Sequence, residues 1–246
     1  MLVALFADLH ANREALTACL AQARACGAAR SVFLGDYVGY GADPEWVLDT
    51  LIDEVARGAV ALLGNHDAAV GQFGDSMLSA AQSSIEWTRV QLGARHRAFL
   101  ASLPLTHEEQ GRLFVHATAA APGKWGYVTE EHAALRSLRA TSCGVTFCGH
   151  VHQPALYDLS GTKSIHSFVP VTGAPIPLSP LRRWLAVLGS VGQPRDGNPA
   201  AGWTMLDTVK NQVTWMRAPY DVEAAAAKVR AAGLPDSIAE RLRAGR

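Results

Sequence analysis

Apolar positions in the first quarter of the chain fall into three short runs, residues 2–7, 31–34 and 59–63. Runs this short with no polar alternation read as strands buried on both faces. Between them the period changes. Ala15, Leu16, Cys19, Leu20 and Ala23 form one stripe at helical spacing. Asp43-Pro44-Glu45 opens the next helix with a cap residue, a proline at the first position and an acid in the first turn. The order strand, helix, strand, helix, strand implies parallel strands joined by right-handed crossovers. Residues 76–102 then read as helical through Ile85, Trp87, Val90, Phe99 and Leu100.

Further on the pattern changes to short strand-like runs at 113–116, 145–148, 155–159, 164–169, 185–188, 204–206 and 212–216, separated by Gly/Pro turns. The proline-rich stretch 170–180 reads as a rigid surface loop rather than a linker, because strand-like segments continue on both sides of it. A last helical segment begins near Asp221 and continues past Gly233-Leu234-Pro235. The expectation is one domain over residues 1–246, with 220–246 as a helical segment packed on it.

Composition narrows the function classes. Of 246 residues 49% are apolar, enough for a sizeable core. The 22 basic and 22 acidic residues balance, which gives no electrostatic case for duplex nucleic acid or an anionic membrane. Cys19, Cys26, Cys143 and Cys148 form no CxxC pair and read as reduced core cysteines of a cytosolic protein. No run approaches the ~18–20 apolar residues of a membrane span. No basic segment precedes the first apolar run, and signal cleavage would remove Asp8 and His10.

Polar clusters follow the strands. Asp8-x-His10 ends the first, Gly35-Asp36 the second and Gly64-Asn65-His66-Asp67 the third. In a parallel sheet these ends share one edge, the edge where open α/β sheets bind ligands. His116 follows another apolar run, and Gly149-His150-Val151-His152 follows a fifth. Residues i and i+2 of an extended segment project to one side, so Asp8 and His10 converge, as do His150 and His152. One strand-end aspartate is ordinarily a turn or a cap, and one histidine ordinarily packs. That does not account for five of nine histidines at strand ends. His96, His107, His132 and His166 lack this setting and read as surface or packing residues. The oxygen and nitrogen donor set contains no cysteine. It suits Mn, Fe, Zn or Ni rather than Mg or Ca. Two aspartates, one asparagine and four or five of the histidines make at least seven candidate ligands, more than one closed zinc site needs. With a bridging carboxylate they would hold two ions about 3.5–4 Å apart. Gly35, Gly64 and Gly149 fit turns where backbone passes close to such a site.

The ordered series D-x-H (Asp8, His10), G-D-x-V-x-x-G (Gly35 to Gly41), G-N-H-D (Gly64 to Asp67), H (His116) and G-H-x-H (Gly149 to His152) resembles the calcineurin-like metallophosphoesterase superfamily. GSVGQPRDG at 189–197 and the C-terminal YDVEAA, GLP and RL segments are similar to its bacterial and archaeal phosphodiesterase or diadenosine-tetraphosphatase-like branch. The resemblance implies an α/β fold, a four-layer α/β/β/α sandwich of two mixed sheets with a dinuclear site at one edge. It implies two divalent transition-metal ions, manganese foremost, with Fe, Zn or Ni as alternatives. Asp8, His10, Asp36 and His152 would hold one; Asp36, Asn65, His116 and His150 the other, with Asp36 bridging. His66 would not be a ligand but would face the phosphate as general acid or transition-state donor. The implied activity is hydrolysis of a phosphodiester or nucleotide-type phosphate ester by a metal-bound hydroxide. The implied partner is a small phosphate ester. Oligomeric state is not readable from the sequence.

Departures matter too. Ser/Thr protein phosphatases of the superfamily read G-D-x-V-D-R-G and G-N-H-E. Here Gly39 stands where their aspartate supports the catalytic histidine, Tyr40 where their arginine grips phosphate, and Asp67 ends GNHD. This disfavours the protein-phosphatase mode. Protein phosphatase and small-molecule phosphomonoesterase remain the alternatives on the same site. A non-catalytic scaffold ranks last, since all seven ligands and His66 are present. Ala11 stands where many members have glycine. Asn12 reads as a phosphate contact or the N-cap of the first helix. Arg195 reads as a surface ion pair, or as a phosphate contact if its turn folds over the site. Lys124, Trp125 and Tyr127 read as leaving-group contacts or loop packing.

Overall fold

The computed structural model describes residues 1–71, 79–161 and 164–246, without the side chain of Ser79. In chain order the elements are β1 (Leu2–Phe6), α1 (Arg13–Ala25), β2 (Arg30–Phe33), α2 (Pro44–Ala56), β3 (Val60–Ala61), α3 (Asn65–Val70), α4 (Ser79–Gln91) and α5 (Ala94–Ser102). There follow β4 (Thr106–Glu109), β5 (Arg112–Val115), α6 (Glu131–Arg139), β6 (Val145–Cys148), β7 (Ala155–Leu159), β8 (Ile165–Phe168), β9 (Ile176–Pro177), β10 (Arg183–Val187), β11 (Ala201–Asp207), β12 (Gln212–Ala218), α7 (Val222–Ala231) and α8 (Asp236–Ala244).

Two mixed sheets result. The first runs β3-β2-β1-β11-β12-β9 and the second β4-β5-β6-β10-β7-β8. β1, β2 and β3 are parallel, as are β5, β6 and β10. Alternation along β1 shows why the sheets stack. Val3, Leu5 and Ala7 enter the layer between the sheets with Val32, Leu34, Phe114 and Phe147. Ala4 and Phe6 point the other way, onto Leu16 of α1 and Leu48 of α2. Across the second sheet, Leu185 and Val187 meet Ala134 and Leu138 of α6. The expected α/β/β/α sandwich of two mixed sheets is the fold observed.

Three expectations change in detail. The helix expected over 76–102 is two helices, α4 and α5, parted at Leu92-Gly93; residues 76–78 lie outside those described. Part of the 170–180 loop is a strand: Ile176 pairs with Val213 and places β9 on the edge of the first sheet. β4 forms an antiparallel hairpin with β5. Its sequence, THEE, has no apolar face because it is a half-exposed edge.

The C-terminal helices close one side of the site edge. Asp221 caps α7 by accepting from the Ala224 N–H at 2.9 Å. Ala225, Val229, Ile238 and Leu242 pack with Tyr40. Lys228 reaches Glu14 at 2.6 Å and Asp43 at 2.8 Å, joining α7 to the starts of α1 and α2. Among the described residues no helix is long and apolar enough to cross a membrane.

Candidate metal centre

Among the described residues, eight of the ten non-glycine residues in the left-handed region lie in or beside one cluster: Asp8, His10, Ala11, Asp36, Tyr40, Trp125, His150 and His152. The other two, Gln110 and Asn211, sit in hairpin turns. An L-residue there costs roughly 1–2 kcal/mol. Such strain persists where its surroundings over-determine it, and it gathers at functional sites. Here the β1 and β2 ends lock each other. Asp8 N–H donates to Gly35 O at 3.0 Å, His10 N–H to Asp36 O at 2.9 Å and Ala11 N–H to Tyr37 O at 2.8 Å. Ala11, at φ 49°, adopts the conformation glycine would hold without strain.

All seven expected ligands converge. Ligand atoms of Asp8, His10 and His152 lie within 4.8 Å of one another, as do those of Asp36, His116 and His150. Asp36 joins the groups: its Oδ2 is 3.9 Å from His10 Nε2 and 3.4 Å from His116 Nε2. Asn65 Oδ1 is 3.1 Å from His116 Nε2. His66 forms a third group with His10 and Asp36. Except for the half-buried Asn65, all of these residues are buried.

The ring tautomers provide the test of fit. His10 Nδ1 donates to Val38 O at 3.1 Å, His116 Nδ1 to Leu34 O at 2.7 Å and His152 Nδ1 to Gln193 O at 2.6 Å. A carbonyl only accepts, so each Nδ1 carries hydrogen and each neutral ring presents an Nε2 lone pair. His10 Nε2 and His152 Nε2 face each other at 3.1 Å. His116 Nε2 faces the oxygens of Asn65 and Asp36. The His10 and His152 lone pairs opposed in this way repel unless a cation lies between them, whereas a proton on His116 Nε2 would suit Asp36 and Asn65.

The electrostatics agree. Burial pushes the Asp8 carboxyl up to about 7, opposed by the His116 charge and reinforced by Asp36. Burial alone would lower His116, but the Asp36 charge and hydrogen bond outweigh it and push the imidazole up to about 9. Burial alone would raise Asp36, but the charges of His116 and His66 hold it well below its usual range. Burial lowers His10, His150 and His152. With protons alone available, the cluster places one on His116. A divalent ion supplies that charge without protonating a ligand.

Several supporting residues escaped the sequence reading. Asp67 is fully enclosed and its carboxylate collects backbone N–H groups. Oδ2 accepts from Asp36 at 2.8 Å and Gly64 at 3.0 Å, and Oδ1 from Tyr37 at 2.8 Å. The Tyr37 hydroxyl accepts from Gly35 N–H at 3.2 Å and Leu62 N–H at 2.9 Å, tying the β2 and β3 ends together. Asp67→Ala leaves four buried N–H groups, those of Asp36, Gly64, Tyr37 and Val38, unpaired at about 1–3 kcal/mol each. We expect a loss of at least about 3 kcal/mol in urea unfolding, with Asp67→Asn milder because one acceptor remains. An alanine variant within about 0.5 kcal/mol of wild type contradicts this role.

The Gly-rich turn at 189–197 is also part of the site. Ser190 Oγ donates to Asp8 O at 2.8 Å, Gly192 N–H donates to the same carbonyl at 2.8 Å, and Gln193 O orients His152. A Cβ on Gly192 would sit 1.9 Å from Leu9 O, so only glycine permits this approach.

The other expected contacts sort differently. His66 stands against Tyr40 and His10, ring centroids 4.8 and 4.9 Å away. Its Nδ1 is buried without a hydrogen-bond partner among the described residues. A Cβ at Gly39, φ +81°, would be 2.4 Å from that nitrogen, so a supporting aspartate has no room here. Asn12 is not available to a phosphate. Its Oδ1 caps α1 by accepting from Ala15 N–H at 3.1 Å, and its Nδ2 donates to Gly192 O at 2.9 Å and the Tyr220 hydroxyl at 3.3 Å. Among the described residues no carboxylate makes the surface ion pair expected of Arg195. Its Nη2 donates to Gln193 Oε1 at 3.1 Å and the Tyr40 hydroxyl at 3.4 Å. Trp125 stands edge-on to His116 at 5.8 Å, and Tyr127 stacks on His150 at 4.1 Å. Lys124 is exposed.

Comparison with known proteins agrees with this geometry. Residues 1–211 match the family model described as the calcineurin-like phosphoesterase superfamily domain. An uncharacterized protein of Methanocaldococcus jannaschii is 31% identical over 254 aligned residues, covering 100% of this chain and 98% of that one. The crystal structure of a metallophosphoesterase from Sphaerobacter thermophilus superposes with a TM-score of 0.88 at 30% identity, covering 100% of this chain and 99% of that one. A hypothetical protein from Pyrococcus horikoshii OT3 superposes with a TM-score of 0.80 at 17% identity, over 100% and 98% of the two chains; it speaks to the fold alone. With the matched model spanning most of its length, this chain belongs to the calcineurin-like phosphoesterase superfamily.

Proposed function

We propose that this chain is a phosphoesterase that works with two divalent transition-metal ions, manganese foremost, and hydrolyses a phosphodiester or nucleotide-type phosphate ester. The observation that carries the reading is the pair of donor groups sharing Asp36, with imidazole lone pairs turned toward each other. Asp8, His10, Asp36 and His152 would hold one ion; Asp36, Asn65, His116 and His150 the other. Ions held there would neutralise an anionic ester and lower the pKa of a water so that hydroxide is available near neutral pH.

The rest is done by side chains. Backbone carbonyls at Val38, Leu34 and Gln193 hold three imidazoles in the ligating tautomer. Asp36 supplies negative charge to both positions. His66, beside Asp36 and His10, donates an N–H to a phosphoryl or departing oxygen. Tyr40 is uncharged and lies against His10 and His66. A phosphomonoester carries about −1.5 to −2 charge at neutral pH and a diester only about −1. With Tyr40 itself uncharged, the cationic side chain beside it is Arg195, one positive charge against the single negative charge of a diester. Cys19, Cys143 and Cys148 are buried as expected, while Cys26 at the end of α1 is exposed; these thiols and the balanced charge fit a cytoplasmic protein that binds neither duplex nucleic acid nor membrane.

The manganese-loaded protein should hydrolyse bis-(p-nitrophenyl) phosphate with a higher kcat/KM than p-nitrophenyl phosphate. The reverse order supports the phosphomonoesterase alternative. Absence of hydrolysis with bound Mn, Fe, Zn or Ni supports a scaffold and contradicts the proposal.

A further inference from the structure

Arg195 is left over by the metal reading, yet it is mounted on the metal site. Its peptide N–H donates to His152 O at 3.2 Å, two residues after Gln193 O fixes the His152 ring. Gln153 Nε2 donates to the Arg195 carbonyl at 2.7 Å. The guanidinium is half-buried, with its carbon 5.8 Å from the Tyr40 ring centroid. Tyr40 in turn lies edge-on to His10 at 4.7 Å. The arginine is thus braced at the rim of the donor cluster by two residues that also touch it.

The Arg195 Nη2 reaches the hydroxyl of Tyr40, whose ring packs on both His10 and His66. No carboxylate among the described residues pairs with Arg195, whereas Arg24, Arg182, Arg217 and Arg230 each have one. Of its five N–H donors, only those on Nη2 have partners among the described residues, and both partners are neutral oxygens. A half-buried guanidinium without a counter-ion, with unspent donors beside a site for anionic esters, is matched to two oxygens of a phosphate.

We propose that Arg195 is the phosphate-binding cation of this site, gripping non-bridging oxygens of the substrate while Tyr40 holds its guanidinium in place. The proposal rests on the phosphoesterase reading above and adds a substrate contact that the metal ligands do not supply. The same turn, GSVGQPR, then both orients a metal ligand and delivers the anion clamp.

The test is Arg195→Met, which keeps much of the packing bulk without the charge, alongside Arg195→Lys. Both are loaded with manganese and checked for metal content and melting temperature. Hydrogen bonds to a charged group correspond to a factor of roughly 10 to 150. We expect Arg195→Met to keep wild-type metal content and to lose kcat/KM for the diester by that factor, mainly through KM. Competitive inhibition by inorganic phosphate should weaken in parallel. Arg195→Lys should fall between, keeping charge but losing the fork. An Arg195→Met protein with wild-type KM and wild-type phosphate inhibition overturns the proposal, as does a loss that merely follows lost metal. Calorimetry with inorganic phosphate separates the two claims. Phosphate binding that depends on Arg195 in a protein that hydrolyses no ester refutes the phosphoesterase reading and sustains the clamp. Hydrolysis unaffected by Arg195→Met does the opposite. Failure of the manganese-loaded wild type to bind phosphate overturns the clamp.

Discussion

Asp36→Asn should leave the fold standing and remove most of the bound metal together with turnover. Asparagine matches aspartate in size, and its oxygen can still accept the His66 N–H that Asp36 Oδ1 takes at 2.8 Å. What it lacks is charge. Asp36 Oδ2 is the atom shared by the two donor groups, facing His10 on one side and His116 on the other. Replacing a partner outside the ligand shell typically costs about 10–100-fold in metal affinity or activity. Replacing a ligand that serves two ions should cost more, and we expect kcat to fall by at least ~10³. Metal content should drop below two per chain, and unfolding should remain cooperative. Two tightly bound ions and undiminished turnover in Asp36→Asn would show that this carboxylate bridges nothing.

The second large effect separates chemistry from metal binding. His66→Ala should keep its metal and lose kcat by ~10²–10⁴, the usual contribution of a positioned proton donor. The backbone N–H that supports Asp36 survives the substitution, so the ligand set keeps its scaffold. The side chain does not: it fills the space between Tyr40 and His10, and Gly39 leaves room for the ring but for no supporting carboxylate. If metal content falls with activity, His66 is a ligand and not a donor, an outcome made specific by its place in the third group with His10 and Asp36.

The parts of the fold that follow from periodicity and topology were legible. Three apolar runs separated by helical stripes demand parallel strands, and parallel strands put Asp8, Asp36 and Asn65 on one edge. His116, His150 and His152 follow β5 and β6, also parallel, but the crossover helix α6 that makes them so is not among the elements the apolar pattern predicts. What stayed hidden depends on partners far away in sequence. Asn12 offered a free amide until folding brought Gly192 and Tyr220 to it. Asp67 looked like a variant letter in a motif because its backbone donors are some 30 residues upstream. Arg195 looked like a surface charge because nothing local shows that its turn packs onto Leu9 and Asp8. β4 was missed since a polar edge strand has no apolar period to detect.

Everything proposed for this site depends on where cations bind. Crystals grown with manganese, measured on both sides of its absorption edge, would locate them directly. The expected anomalous map has two peaks, one among Asp8, His10 and His152 and one among Asn65, His116 and His150, with Asp36 touching both. A single peak, or peaks away from these side chains, contradicts it.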